Sequence, residues 1–250
     1  MSVWAGVGPA DGPAGHTYAG LIVRLPAADG RAQVLQALRD LRFTGWLGPE
    51  QDGWLVAVAA RGAGTVAARR RGVLGVAEDL AGRLDATLVA VRVADDRQLV
   101  LSLWAGGEEA GRYVSDPSHG LRDAEVLTDP LGAEHAAAFA AAAGRPEAAE
   151  ELGELLAEEL DPDSVIESER LTRVLRLLRL PEWLVAAASL PRDVPGGPRA
   201  GEFTRLGAGV PGLGGRLVGR VAQVTRTRRR PPPVVTDPPR GGPAAEPWLW

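Results

Sequence analysis

The stretch from Ala86 to Ser115 constrains the fold more than any other part of this chain, because it writes three strand-length runs separated by two tight turns. Ala86-Thr-Leu-Val-Ala-Val-Arg-Val-Ala94 is apolar on both faces apart from Arg92, as a strand covered on both sides must be. Asp95-Asp96-Arg97 breaks the run. Gln98 to Trp104 alternates, with Leu99, Leu101 and Leu103 on one face and Val100, Ser102 and Trp104 on the other, so it returns antiparallel beside its predecessor. Gly106-Gly107 supplies positive φ for a second turn, and a third strand near Glu109 to Ser115 completes a meander that Pro117 stops.

Upstream, Thr17 to Leu25 alternates and reads as a first strand closed by Pro26. Asp29 is placed to cap an amphipathic helix over Gly30 to Leu41, whose Val34, Leu35, Leu38 and Leu41 recur at helical spacing. Gly45-Trp-Leu-Gly-Pro49 reads as the stop after that helix. Trp54 to Ala60, introduced by Asp52-Gly53, is a second strand inside the sheet. Val73, Leu74, Ala77, Leu80 and Leu84 predict a second helix, although Gly72, Gly75 and Gly82 each cost about 1 kcal/mol against alanine there. The order strand, helix, strand, helix, three strands predicts an α/β (α+β) fold, with a mixed sheet of about five strands and two helices in the amino-terminal half. In outline this resembles a ferredoxin-like sandwich, a resemblance of fold that carries no function by itself.

After Pro130 the pattern is helical only. Gly132 to Ala143 is nearly all alanine around Phe139, Gly144 ends it, and Pro146 opens the next helix. That helix sets Leu152, Leu155, Leu156 and Leu160 against Glu150, Glu151, Glu154, Glu158 and Glu159. Ser164 and Glu167 fit a capping box for a third helix, where Leu171, Val174, Leu175 and Leu178 run beside Arg170, Arg173, Arg176 and Arg179. An acidic helix followed by a basic one suggests an antiparallel hairpin, and Pro181 starts a last short helix that Pro191 closes. These helices are expected to cover the sheet. The expected organisation is a flexible leader over 1–15 and a single domain over 16–192, divided into a sheet-forming half (16–116) and a helical half (130–190). A Gly/Pro/Arg-rich, largely disordered tail over 193–250 completes it.

Composition narrows the chemistry. The chain has no lysine, asparagine or cysteine, in the manner of a GC-rich genome. Thiol nucleophiles, disulfides, thiolate zinc sites, lysine Schiff bases and the Gly-x-x-x-x-Gly-Lys phosphate loop are therefore excluded. No signal peptide or membrane span is legible, which predicts a soluble cytoplasmic protein. The net charge of -4 conceals a split: Met1 to Pro198 holds 19 Arg against 29 acidic residues, and Arg199 to Trp250 holds 9 Arg against 3. Such asymmetry points to a basic interaction tail.

Four constellations carry potential chemistry. Gly62, Gly64 and Thr65 precede Arg69, Arg70 and Arg71 at a helix start, where arginines and free N–H groups together suit an anion such as phosphate; a solvated charge run explains the same letters. Ser115, Asp116, Ser118 and His119 end a strand as a catalytic cluster or, more simply, a Ser/Asp-capped turn. His16, His119 and His135 lack metal-ligand spacing, so neither metal nor cofactor is expected. In the tail, Arg226, Arg228, Arg229 and Arg230 run into Pro231, Pro232 and Pro233, and Trp248 and Trp250 close the chain. They offer an extended peptide ligand with aromatic anchors. Nucleic acid is disfavoured as the tail's partner because the acidic body would repel phosphate, and the glycines between Gly212 and Gly219 count against a membrane-surface helix. The sequence thus points to a non-enzymatic, bacterial-type protein-interaction or regulatory module. A small-molecule enzyme or sensor at the Gly62 to Arg71 loop is the alternative, and nucleic-acid or membrane-surface contact through the tail comes third.

Overall fold

A computed structural model describes residues 15–25, 29–60, 65–119, 129–159 and 167–207. The chain divides into two units, Met1–Gly209 and Val210–Trp250, and every described residue lies in the first. Seven strands form one sheet: β1 (Tyr18–Arg24), β2 (Gly45–Gln51), β3 (Trp54–Ala59), β4 (Thr87–Ala94), β5 (Gln98–Ala105), β6 (Glu108–Val114) and β7 (Thr204–Leu206). Their order is β6-β5-β4-β1-β3-β2-β7, and every neighbouring pair is antiparallel. Five α-helices occur among the described residues: α1 (Gly30–Asp40), α2 (Val73–Ala81), α3 (Ala136–Ala143), α4 (Ala149–Ala157) and α5 (Glu167–Leu177). A 3-10 helix over Glu182–Ser189 follows them. None of these helices is long and apolar enough to cross a membrane.

The α/β class, the paired amino-terminal helices and the helical layer on the sheet agree with the expectation. The sheet is larger than expected and wholly antiparallel rather than mixed, for one reason. Gly45 to Gln51 is a strand and not merely a helix stop. It pairs with β3 through a hairpin whose turn residues, Asp52 and Gly53, both have positive φ. With β2 inserted, the crossover from β1 over α1 leads to β2, and β3 returns antiparallel between them. β1 to β4 then have the βαββαβ connectivity and 4-1-3-2 order of a ferredoxin-like core, widened by β5, β6 and β7. Residues 193–207, placed with the tail by their Gly and Pro content, instead return to the sheet, where β7 pairs with β2.

Alternation along the strands divides the core in two. Ala19, Leu21 and Val23 of β1, Leu55 and Ala57 of β3 and Leu88 and Ala90 of β4 pack under α1 and α2. Tyr18 and Ile22, Trp54, Val56 and Val58, and Val89, Val91 and Val93 face the other way, under α3, α4, α5 and the 3-10 helix. The result is three layers, with the bulkier aromatic and β-branched side chains on the α3–α5 side. α1 starts where expected, but Asp29 makes no side-chain cap; its carboxylate accepts a bond from Gln33 Nε2 (2.7 Å) instead.

β2 joins the sheet only because two of its residues lack side-chain bulk. A Cβ on Gly45 would lie 2.0 Å from the Val58 carbonyl oxygen, and one on Gly48 would lie 3.0 Å from the Trp183 ring. Gly48 and Pro49 occupy a bulge opposite Val56, where the proline's missing N–H costs no ladder bond. Gly45→Ala is therefore expected to cost about 3 kcal/mol in denaturant unfolding, the upper range for overpacking against rigid neighbours. Gly201→Ala, which meets open space, should stay within about 0.5 kcal/mol of the parent.

Candidate functional site

The most connected polar group in the structure grows from the β4–β5 turn. Asp95 and Asp96 both adopt left-handed backbone (φ 53° each), a conformation glycine or asparagine adopts at lower cost. Each carboxylate is used. Asp95 is bonded to the Thr17 hydroxyl (2.8 Å) and lies 3.7 Å from His119 Nε2. Asp96 accepts the backbone N–H groups of His16 (3.0 Å) and Ser168 (3.2 Å) and the Ser168 hydroxyl, which in turn accepts the Tyr18 hydroxyl (3.0 Å). The Asp96 carbonyl accepts the Glu167 N–H (3.0 Å). A carboxylate brought from the hairpin thus caps the start of α5, where the helix dipole favours negative charge. Ser164 of the expected capping box lies outside the described residues, and Glu167 is buried beside Arg170.

Arg170 continues the network across the helical layer. It is 3% exposed, donates to the Tyr113 hydroxyl and to the carbonyls of Leu156 (3.2 Å) and Glu158 (2.6 Å), and its Nε stands 3.4 Å from Glu167 Oε2. It therefore satisfies carbonyls left open at the carboxyl end of α4. Burial pushes the Glu167 carboxyl above its ordinary value, against the opposing pull of a hydrogen bond with Ser115 and the charge of Arg170. Burial raises both the Tyr18 and Tyr113 phenols, which stay neutral donors. The network is buried around Asp96, Ser168, Glu167 and Arg170 and open to solvent at Asp95, and it ties the lead-in to β1, the β4–β5 turn, β6, α4 and α5 to one another.

Concave surface lies elsewhere. A groove of about 820 Å³ runs between α4 and α5, with Leu155 and Leu177 between Glu151, Glu154 and Glu158 on one wall and Arg173 and Arg176 on the other. Arg173 pairs with Glu158 (2.8 Å) and Arg176 with Glu182 (3.0 Å), both exposed. A shallower depression of about 430 Å³, lined by residues such as Gln33, Gln36, Asp40 and Arg83, lies between α1 and the segment that follows α2.

Of the residues singled out in the sequence, Gly62 and Gly64 lie outside the described residues. So do Arg226, Arg228, Arg229, Arg230, Pro231, Pro232, Pro233, Trp248 and Trp250. Thr65 and Arg69 are exposed, and Arg69 has left-handed backbone (φ 57°). Arg70 falls in the 3-10 turn Ala68–Arg70. Arg71 is paired with Asp79 of α2 and donates to the Ala68 carbonyl (3.3 Å), so its guanidinium is engaged within the fold. Asp116 accepts the N–H (2.8 Å) and hydroxyl (2.6 Å) of Ser118 in a local turn, and Ser115 Oγ accepts the Leu99 N–H (2.9 Å). Neither serine is bonded to His119, and among the described residues no three His, Asp or Glu side chains are grouped to hold a metal. The sequence pattern gave no warning of Asp96, because its partners lie about 70 to 80 residues away; the only local signal was an Asp-Asp where a hairpin prefers glycine. The groove residues were legible as charged helix faces.

Comparison with protein-family models, curated proteins and solved structures finds no match to this chain.

The raised Glu167 pKa fixes the sign of a pH effect. A carboxyl titrating higher in the folded than in the unfolded chain contributes stability that is complete below its ordinary value of 4.5 and is lost as pH rises through the folded value. Unfolding stability measured from pH 4.5 upward should therefore fall less in Glu167→Gln than in the parent, and an unchanged slope would show that this carboxyl does not titrate in the folded range.

Proposed function

We propose that this chain is a protein-interaction module of the cytoplasm, not an enzyme, and that it docks its partner on the α4–α5 groove. The observation that carries the reading is the groove itself: leucine side chains set between walls of opposite charge, on two helices locked to the sheet. Helix-lined grooves of this kind accept amphipathic segments, with apolar anchors supplying affinity and flanking charges fixing register and orientation. The Asp96 and Arg170 network supports the same reading. It holds α4 and α5 in one geometry before any partner arrives, which lowers the ordering cost of binding. The anion reading of the arginine loop draws less support, since Arg71 is committed to Asp79.

The absence of cysteine allows a clean test. Glu154→Cys places one thiol at the groove, and Gln36→Cys places one on the opposite helical layer. Each variant of the full chain, carrying a thiol-linked photo-crosslinker, is irradiated in native cytoplasmic extract. The expected result is a discrete protein adduct from position 154, absent from position 36 and reduced about tenfold when Leu177→Asp is added, as removal of an interface anchor does. Equal labelling from both positions, or an adduct indifferent to Leu177→Asp, would refute docking at the groove.

A further inference from the structure

We infer that the occupant of the α4–α5 groove is a basic amphipathic helix, an inference that rests on the reading of this groove as a docking surface. The charges decide it. Arg173 and Arg176, the cations of the groove, already have carboxylate partners within the fold in Glu158 and Glu182. Glu150, Glu151 and Glu154 have no ion pair among the described residues, and all three are exposed on α4. The groove therefore presents residual negative charge on one wall and none of the opposite sign on the other.

Spacing gives that charge a shape. Glu151 and Glu154, at i and i+3 on α4, are the unpaired part of a stripe about 4.5 Å long at 1.5 Å per residue, which Glu158, just past the helix end and paired with Arg173, extends. A partner helix lying along the groove meets this stripe with basic residues at the same spacing on its own flank. Its apolar face has a narrow floor, the buried Leu155 and half-buried Leu177, which suits one i, i+4 pair of leucine-sized side chains and not a broad hydrophobic seam.

The alternatives meet the same charges with the wrong sign. An acidic helix would have to displace Glu158 and Glu182 from their arginines while facing Glu151 and Glu154. A second copy of this chain brings its own three unpaired glutamates. At longer range the excess of 29 acidic residues over 19 Arg in Met1 to Pro198 draws cations and repels like-charged partners.

The test uses the full chain and two synthetic labelled helices of about 15 residues, long enough for helical turns to form on binding. One carries leucines at i and i+4 with arginines along one flank at i, i+3 and i+7; its twin has glutamate in place of each arginine. Fluorescence anisotropy should show the basic peptide binding the parent chain. Glu151→Arg with Glu154→Arg should weaken it by at least about tenfold and transfer preference to the acidic twin, since reversing two facing charges reverses the complementarity. Both substituted positions are exposed, and an unchanged unfolding transition confirms that the variant folds. Equal binding of the twins, or no response to the double reversal, overturns the inference. So does a dimer of the parent chain, seen by sedimentation, that the double reversal abolishes and the basic peptide cannot displace. In either case an adduct from the thiol at position 154 leaves the docking surface standing, whereas silence there as well removes both.

Discussion

The carboxylate of Asp96 is the interaction on which the arrangement of this protein most depends. The sheet can be built from local alternation, and the helices from their own apolar stripes, but neither says where α5 must begin relative to the strands. Asp96 says it, by accepting the first available N–H groups and a hydroxyl of α5 while remaining part of the β4–β5 turn. A helix start needs acceptors for its open N–H groups, and a buried one must find them inside the protein. Supplying them from a hairpin converts a local requirement of the helix into a tertiary joint. Arg170, less than one turn further along α5, makes the reciprocal joint at the end of α4.

That joint explains why two aspartates occupy left-handed positions. At position 96, glycine would adopt the same backbone without strain, at the cost of leaving the His16 N–H and the Ser168 N–H and hydroxyl without their acceptor. A buried, unsatisfied hydrogen-bonding group costs about 1 to 3 kcal/mol, the same range as one left-handed residue, but three donors depend on the Asp96 carboxylate, so the strained residue is the more stable choice in this setting. The burial of Glu167 follows from the same geometry: packing α5 onto the turn encloses its first side chain, and Arg170 offsets part of the resulting desolvation.

How much of this was legible in the sequence depends on whether the physics was local. The Ala86 to Ser115 meander, α1, α2 and the α3–α5 layer follow from periodicity within windows of a dozen residues, and the structure has them. β2 was missed because Gly48 and Pro49 break its pattern, and their reason for being there is Trp183, about 135 residues away, together with a bulge that tolerates proline. Asp52-Gly53 carried the missing information, since that dipeptide is a strong hairpin signal and requires a strand on both sides. β7 was hidden by composition: its three residues sit in a Gly- and Pro-rich stretch, and only pairing with β2 gives them an extended conformation. The hub around Asp96 belongs to the same class, built wholly from long-range contacts. The groove was half legible. The acidic and basic faces of α4 and α5 could be read, whereas which arginines are already neutralised could not, because that depends on how the two helices and Glu182 meet.

The proposed placement of recognition on the α4–α5 surface rests on what the remainder of the described fold has already used. Both faces of the sheet are covered by helices, so neither can serve as a platform. One edge is β7, only three residues long, too short to template an added strand over a useful length. The other is β6, whose end at Val114 is bridged by Leu131. Among the described residues, helix surfaces are a place where backbone is satisfied and side chains are free to vary. Of these, α4 and α5 are the pair fixed to the sheet and to each other by buried ionic and hydrogen-bonded contacts, so the proposed partner would meet a surface whose two helices are already held in place.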